Sequence, residues 1–427
     1  MSSKIPKRKG LKRNYTYLLT ANIIASLIGI ISLVITTHVL TVTNFGLLML
    51  IQVYVMIVGQ FVSFKTWQPV IKYGIDLLNE SDLAGFTSLI QTAFKIDIVT
   101  AFIGFLLALG LAWPVFTVMD WDKGSFDILL IYCLTILLNF SGPGMGILRI
   151  FDRFDLIAMQ QILFQSVRCV CLVFCWKANL GLNAIIYSWV IPEILAYFFL
   201  MSLGFYELRR QKIKLLIPVP IFSKQKEFFS FIIANNFDSS IRAVSRNIDV
   251  LLIGFFAGQA QAGIYKLAIQ LSGVITRFTD PIYQLLLPVF TELVSKGKKR
   301  ELKEKMKKIT LLSTSIFFAI YIIILLVGHP FISFVFEPEY SSVYKIMCIY
   351  LIALGMATSC LTIVPFMHAM GLPKVCLKVQ SKSTILYCIV LLPLAYYLGT
   401  TGAAVAYILY HIFWFKLIWP RVIENLE

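Results

Sequence analysis

Apolar runs of about 20 residues recur along the whole chain, separated by short polar connectors. A helix needs about that length to cross the hydrocarbon core of a bilayer, so each run predicts one membrane-spanning helix. The predicted spans are 16–40, 45–65, 95–117, 126–148, 156–176, 182–205, 228–256, 262–290, 309–328, 343–367, 374–397 and 399–419. No polar segment is large enough for a soluble domain, so the sequence predicts an all-α polytopic membrane protein with about twelve spans.

Lysine and arginine concentrate in alternate connectors, which predicts the orientation of the chain. The tail 1–15 and the connectors 206–227 and 291–308 are strongly basic. The connectors between them are uncharged, as in LTVTN, GQAQA and GTT, or acidic, as in MDWDKGS. Because basic loops stay on the cytoplasmic side, we expect both termini to be cytoplasmic.

The spacing of the spans also predicts an internal repeat. Gly46 and Gly263, which each open a span after a short outer loop, lie 217 positions apart, and the same shift brings the first six spans close to the last six. Parallel halves of this kind are related by an axis along the membrane normal. We therefore predict two six-helix lobes, with the whole chain divided into 1–15, 16–205, 206–227, 228–419 and 420–427.

Composition agrees with this class of protein and excludes others. Of 427 residues, 59% are hydrophobic and 14% are charged, which is typical of a chain in contact with membrane lipids. The net charge of +16 lies in the connectors, so it does not indicate nucleic-acid binding. The eight cysteines lie in or at the ends of apolar runs and are interpreted as buried apolar residues, neither zinc ligands nor disulfides. Without a P-loop, HExxH or GxSxG motif, we expect no enzyme, no metal and no cofactor.

Charged residues nevertheless occur inside the apolar runs. In span seven, Asp238, Arg242, Arg246 and Asp249 fall within an arc of about 80° at 100° per residue, and Asn235 shares that arc. A charge at the bilayer centre that faced lipid would cost at least ~2.5–3.5 kcal/mol. This side of the helix is therefore predicted to face protein or a water-filled cavity.

Other spans contribute further charges. Arg168 in span five has no acidic residue nearby in the sequence, Glu193 follows Pro192 in span six, and span eight contains Arg277 and Asp280. Arginine binds phosphate in a bidentate manner, so the predicted ligand is anionic. The predicted substrate-binding residues are Arg168, Arg242, Arg246, Arg277 and Asn235. The predicted ion-coupling residues, for a Na⁺ or H⁺ gradient, are Asp238, Asp249, Asp280 and Glu193.

Two alternatives to these assignments stay open. The pairs spaced i,i+3 or i,i+4, such as Arg246 with Asp249, could serve only to lock helices together. The sequence GPGMG at 142–146 predicts a loosened helix at the end of span four, either as a hinge or as a tolerated kink.

An ordered series of short motifs covers nearly the full length of the chain: NFGLL, FKTWQPVIKYG, ILRIFDRFD, NIDVLLIGFFAGQAQAGIYKLA, PIYQLLLPVFTEL, FEPEY, HAMGLPK and GTTGAAVAY. This series resembles the oligosaccharide (O-antigen) flippases of bacterial polysaccharide synthesis. These proteins are members of the multidrug/oligosaccharidyl-lipid/polysaccharide exporter superfamily.

The resemblance implies two lobes that form a V around a central cationic cavity, and transport by alternating access. It implies a lipid-linked oligosaccharide on undecaprenyl diphosphate as the substrate, moved from the inner to the outer leaflet of the bacterial inner membrane. Polysaccharide polymerase and chain-length proteins are the implied partners. The charges in the spans of this chain nearly balance, however, which departs from a strongly cationic cavity and leaves room for ion coupling.

Rival functions predict different features. A Na⁺- or H⁺-coupled multidrug antiporter of the same superfamily would export organic cations, which the arginines disfavour. Lipid II flippases tend to have two further spans. A membrane sugar polymerase would have a large outer loop, and a purely structural subunit would not need the polar side of span seven.

Overall fold

The computed structural model describes residues 11–119, 121, 124–213 and 225–426. The side chains of residues 11, 12, 15, 225, 226, 230, 231, 234, 235, 237, 238, 276–285, 288 and 426 are not described. Within these ranges the secondary structure is helical. The α-helices are α1 Leu11–Val39, α2 Val42–Val62, α3 Trp67–Asn79, α4 Leu83–Val118, α5 Gly124–Leu137, α6 Gly142–Ile150, α7 Phe154–Lys177, α8 Leu182–Arg210, α9 Gln225–Ser272, α10 Val274–Ser295, α11 Lys299–Val335, α12 Ser342–Ser359, α13 Ile363–Ala369 and α14 Pro373–Leu426, and a 3₁₀ turn covers Pro338–Tyr340.

Among the described residues, ten helical segments are long and apolar enough to cross a membrane, which confirms an all-α polytopic membrane protein. The two longest helices each continue from one predicted span into the next: α14 contains 374–397 and 399–419, and α9 contains 228–256 and the first part of 262–290. Both are bent at a glycine with a positive φ angle, Gly258 (φ 85°) and Gly399 (φ 55°). An L side chain rarely adopts such a backbone, so glycine is what allows the chain to turn there. The predicted loops GQAQA and GTT are therefore sharp bends between adjoining spans.

The predicted loosening at GPGMG is a complete break in the helix. Helix α5 ends at Leu137 and α6 begins at Gly142, with Pro143 in its first turn, where the missing N–H of proline is tolerated. The carboxylate of Asp97, on α4, accepts a hydrogen bond of 3.2 Å from the backbone N–H of Gly142. Asp97 thus satisfies one of the backbone donors that the break exposes.

The segments that follow the second and eighth predicted spans differ in the structure. The first forms a separate helix, α3, whose apolar face packs into the core of its unit. The second, from Lys299, is continuous with span nine in α11, a helix of 37 residues. Helix α11 therefore extends past the predicted span 309–328 at both ends, over the basic residues from Lys299 and as far as Val335.

The chain divides into two compact units. The first contains the residues up to Val39 together with Ile51–Ala243, and the second contains Leu40–Leu50 together with Val244 onward. The chain passes between the units three times: just before α2, within α2 and within α9. The lobe boundaries predicted from the sequence, the V-shaped cavity and the cytoplasmic termini stay predictions.

In the first unit, α1 packs along α7, and α8 packs against α6 and α7. Its apolar core joins α3, α4 and α6 to the first turns of α9, for example through Tyr73 and Phe228. In the second unit, α10, α13 and the last part of α14 share a core around Phe290 and Phe366. Apolar side chains along α11 are exposed, among them Leu326 (73%) and Phe334 (91%), as expected for a lipid-facing helix.

A buried ion-pair network holds the ILRIFDRFD segment of the first unit. Arg153, between α6 and α7, binds Glu207 of α8 at 2.6 Å and Asp155 at 3.1 Å. The Glu207 side chain is 1% exposed and also accepts a hydrogen bond from Gln211 at 2.7 Å. Hydrogen bonding to Asp155, with the negative charges of Asp155 and Glu207, raises the pKa of Arg153 against the opposing effect of burial.

A close backbone contact in the second unit joins α2 to α9 at the two glycines of the predicted repeat. A Cβ atom on Gly46 would overlap the backbone carbonyl of Gln259, and one on Gly263 would lie 2.7 Å from the Cα atom of Gly46. Neither obstacle is a flexible side chain. The two helices can approach this closely only because both positions lack a side chain.

We predict that Gly46→Ala lowers the stability of the folded protein by about 1–3 kcal/mol, because the added methyl group forces the helices apart. Thermal unfolding of the purified protein in detergent, followed by tryptophan fluorescence, measures the change in Tm. Gly110→Ala is the matched control, since a Cβ atom there meets nothing within 4 Å. Equal Tm values for the two variants would contradict the packing argument.

We also predict that Arg153→Ala destabilises the protein by about 3 kcal/mol, because it leaves Glu207 buried without its principal cation. Arg421→Ala provides the comparison, since the Arg421–Glu424 pair is exposed (59% and 61%) and such pairs contribute about 0–1 kcal/mol. The same unfolding measurement tests both variants. A loss for Arg153→Ala no larger than that for Arg421→Ala would show that the network is not stabilising.

Candidate functional site

Arg168 of the first unit lies on α7 and faces the middle of α8. Its guanidinium carbon lies 4.7 Å from the centre of the Trp189 ring, a cation–π arrangement. Its Nη2 atom donates to the backbone carbonyl of Trp189 at 3.4 Å and lies 3.7 Å from Oε2 of Glu193. The sequence shows no acid near Arg168, whereas the fold supplies one from the next helix.

Two tyrosines complete this first-unit site, which we define by Arg168, Trp189, Glu193, Tyr197 and Tyr132. The Tyr197 hydroxyl donates to Oε1 of Glu193 at 2.7 Å. The Tyr132 hydroxyl, from α5, interacts electrostatically with Arg168 and Glu193 but is buried without a hydrogen-bond partner. The Nε atom of Arg168 is likewise buried without a partner.

The first-unit site therefore has two hydrogen-bond donors that are free to bind a ligand. An unpartnered buried N–H or O–H is costly, and an anionic oxygen that accepts from both groups would remove that cost. The site is partly accessible, since the Arg168 side chain is 15% exposed and that of Glu193 is 31% exposed. Its chemistry suits an anion that competes with Glu193 for the guanidinium.

Neighbouring polar residues fix the helices that carry this site. The Trp189 indole N–H donates to Thr36 of α1 at 3.3 Å. Gln161 of α7 donates to Asn22 of α1 at 3.0 Å. These bonds hold α7 and α8 against α1, so the orientation of Trp189 is set by a third helix.

In the second unit, Asp249 is fully buried and is bound by residues of its own helix, on both sides of the Gly258 bend. The Tyr265 hydroxyl donates to Oδ2 of Asp249 at 2.9 Å, and the N–H of Val250 donates to Oδ1 at 2.9 Å. Lys266 also interacts electrostatically with Asp249. Arg246 and Asp249 form no ion pair within 4 Å in this described part of the chain, so this pair does not lock the helix.

Arg246 is exposed and lies instead near an aromatic cluster formed by Tyr350, Tyr387, Tyr407, Tyr410 and His411. Its positive charge interacts with Tyr350, Tyr407 and His411. The Tyr350 and Tyr407 rings are stacked, with centroids 4.7 Å apart, and His411 meets Tyr407 edge-on at 4.9 Å. Arg246 and Asp249, which share an arc in the sequence, therefore have different surroundings.

The remaining predicted residues divide into two groups. Arg242 is exposed on the part of α9 that belongs to the first unit. The side chains of Asn235, Asp238, Arg277 and Asp280 lie outside the described residues. The assignment of substrate-binding and ion-coupling roles stays a prediction for every residue named.

Inside the predicted spans, sequence reasoning missed two buried charges, Asp97 and Lys266, each 8% exposed. Lys266 is the one charged residue of GIYKLA, and Asp97 is one of two in FKIDIV. The aromatic cluster was also missed: helical spacing connects Tyr407, Tyr410 and His411, but Tyr350 of α12 and Tyr387 lie far from them along the chain.

The sequence profile described as "Polysaccharide biosynthesis protein" matches residues 35–345. The inner membrane protein YghQ of Escherichia coli (strain K12) is 27% identical over 345 residues, which cover 78% of this chain and 95% of YghQ.

Solved structures share the fold at low sequence identity. An inward-facing multidrug resistance MATE family transporter of the MOP superfamily has a TM-score of 0.71 at 13% identity, with 99% of this chain and 97% of that one covered. The lipid II flippase MurJ, in an inward closed conformation, has a TM-score of 0.70 at 14% identity, with 97% and 89% covered. A MOP superfamily transporter from Pyrococcus furiosus, described as having a binding pocket of reverse polarity, has a TM-score of 0.67 at 13% identity, with 97% and 96% covered.

These named structures are of transporters and a flippase. The family profile covers well over half of the chain, and the fold is that of the MOP superfamily transporters throughout. The chain therefore belongs to the polysaccharide biosynthesis protein family.

Proposed function

We propose that this protein is a flippase for a lipid-linked oligosaccharide. It moves a repeat unit carried on undecaprenyl diphosphate from the inner to the outer leaflet of the bacterial inner membrane, by alternating access, for surface polysaccharide synthesis. Family membership and the name of the relative YghQ support the pathway and the membrane. A Na⁺ or H⁺ gradient drives the cycle, and a polymerase and a chain-length protein take up the product.

The observation that carries this proposal is the first-unit site. A diphosphate presents several anionic oxygens, and a guanidinium can bind two of them at once. Arg168 is held over the Trp189 ring with its Nε–H unpartnered, and the Tyr132 hydroxyl, which interacts with it, is a second unpartnered donor. An organic cation would instead be repelled by Arg168.

Glu193 is the anionic partner of Arg168 when no substrate is bound. Without substrate, its carboxylate at 3.7 Å partly neutralises Arg168 and accepts from Tyr197. A diphosphate that enters takes over the guanidinium and leaves Glu193 bound to Tyr197. Removal of Arg168 should weaken binding of the diphosphate, whereas removal of the Glu193 charge should strengthen it, so the two residues have opposite effects on affinity.

We predict that Arg168→Ala lowers flipping of undecaprenyl-diphosphate oligosaccharide at least tenfold, while Arg168→Lys keeps part of the activity because the charge remains without the planar, two-pronged geometry. Flipping is measured in proteoliposomes with a fluorescent substrate and a membrane-impermeant quencher. Arg209→Ala, an exposed arginine on α8, is the matched control. Wild-type flipping by correctly inserted Arg168→Ala would contradict the role of this site.

Glu193→Gln should tighten binding of the diphosphate, because it removes the carboxylate that competes for Arg168. We expect a lower KM and, where release limits the cycle, a lower kcat as well. The kinetics of flipping over a range of substrate concentrations test this. A higher KM would mean that Glu193 assists binding and does not compete.

A panel of substrates separates this function from its rivals. The protein should flip the diphosphate-linked oligosaccharide faster than lipid II and should not transport ethidium. In cells, deletion should deplete surface polysaccharide and accumulate the lipid-linked precursor in the inner leaflet. Intact polysaccharide with increased sensitivity to organic cations would favour a multidrug antiporter, and selective flipping of lipid II would favour a peptidoglycan function.

A further inference from the structure

Lys266 is a buried cation in a membrane span for which the proposed function gives no role. It lies in the part of α9 that follows the Gly258 bend and is 8% exposed. A lysine within the hydrocarbon region is costly unless it is paired or faces water. The Lys266 ammonium therefore needs a polar or anionic partner, which must come from another part of the folded chain.

The Gly258 bend brings that partner to Lys266. The chain turns back at this residue, so that Asn247 and Asp249 before the bend lie beside Tyr265 and Lys266 after it. The Lys266 Nζ atom donates to Oδ1 of Asn247 at 3.3 Å.

Asp249 is the carboxylate of this pocket. It is fully buried, accepts from Tyr265, and interacts electrostatically with Lys266. The positive charge of Lys266 and the negative charge of Asp249 make the pair neutral overall. Neutrality is what allows both groups to be buried.

The atoms around Lys266 are those that a hard metal cation prefers. The Asp249 carboxylate, the Asn247 amide oxygen and the Tyr265 hydroxyl are oxygen ligands. The Tyr387 hydroxyl, from α14, is a further oxygen that interacts with the Asp249 carboxylate. A Na⁺ ion in this pocket would add a charge to a site that is already neutral, and would compete with Lys266 for Asn247.

The other titratable groups that act on Asp249 do not change this balance. They are Tyr350 from α12 and Tyr407 from α14, which are themselves influenced by Arg246. Among the described groups that act on the pocket, Asp249 is the single carboxylate. The described residues therefore supply no second acid there that could offset a metal ion while Lys266 keeps its charge.

We propose that the Lys266 ammonium is the resident cation of this pocket, in the place that Na⁺ would need, and that the pocket responds to protons and not to Na⁺. This inference rests on the proposed function for its role in transport. A proton taken up by the Asp249 carboxylate converts it to the neutral acid, while Lys266 keeps its own proton and its bond to Asn247. Release of the same proton restores the charge pair.

The first test needs no substrate. The thermal stability of the purified protein is compared in sodium chloride and in choline chloride at equal ionic strength. We expect the same Tm in both salts for the wild type. In Lys266→Met we expect a Tm several degrees higher in sodium chloride, because the vacated pocket can then bind Na⁺ and a ligand of the folded state alone is stabilising.

Two further variants make the result specific. Asp249→Asn/Lys266→Met removes both charges and should show no response to Na⁺, and Lys303→Met, an exposed lysine on α11, is the control for loss of a lysine. Stabilisation of the wild type by Na⁺ that disappears in Asp249→Asn overturns the proposal. So does a well-folded Lys266→Met that is indifferent to Na⁺. If Lys266→Met does not fold, the wild type and Asp249→Asn still decide the question.

Flipping in proteoliposomes then tests the coupling itself. An imposed pH gradient should change the rate of the wild type, an equal Na⁺ gradient should not, and Asp249→Asn should be insensitive to both. A response to the Na⁺ gradient alone overturns the proposal. A protein that shows the expected salt-independent stability but flips no lipid-linked oligosaccharide overturns the proposed function and leaves the assignment of Lys266 intact.

Discussion

The cost of a charge inside the bilayer is the constraint on which this structure depends. Arg168, Asp97 and Asp249 each lie in an apolar helix, and each is held by groups from elsewhere in the fold. Arg168 has an indole and a carboxylate, Asp97 a backbone N–H at a helix break, and Asp249 a tyrosine hydroxyl. These contacts determine which helices must lie side by side within each unit.

The same constraint applies to the backbone. Where a helix stops inside a span, its exposed N–H and C=O groups need partners, and the structure supplies them locally. At the break before α6 the partner is Asp97, and at Gly258 the bend turns the helix back so sharply that residues on either side of it share a pocket. Departures from regular helix are therefore the places where functional groups collect, as they are in many membrane transporters.

Two sites of different character result. The site around Arg168 has hydrogen-bond donors without partners and is partly accessible, so it is suited to reversible binding of a ligand. The pocket around Asp249 contains its own cation and is closed, so it is suited to a small change such as protonation. A flippase needs both functions, because it must bind an anionic headgroup and also link its conformational change to a source of free energy.

The amino-acid sequence by itself determined the helical membrane class, the approximate spans and the position of the break at GPGMG. These follow from local properties: the length of an apolar run, the missing N–H of proline and the missing side chain of glycine. It also identified Arg168, Glu193 and Asp249 as charged residues whose burial in the bilayer costs free energy unless they face protein or water. It did not reveal that Glu193 faces Arg168 or that Lys266, and not Arg246, accompanies Asp249. Only the tertiary structure decided those pairings, because they join residues of different helices or of one helix folded back at Gly258, and helical periodicity carries no information across such a bend.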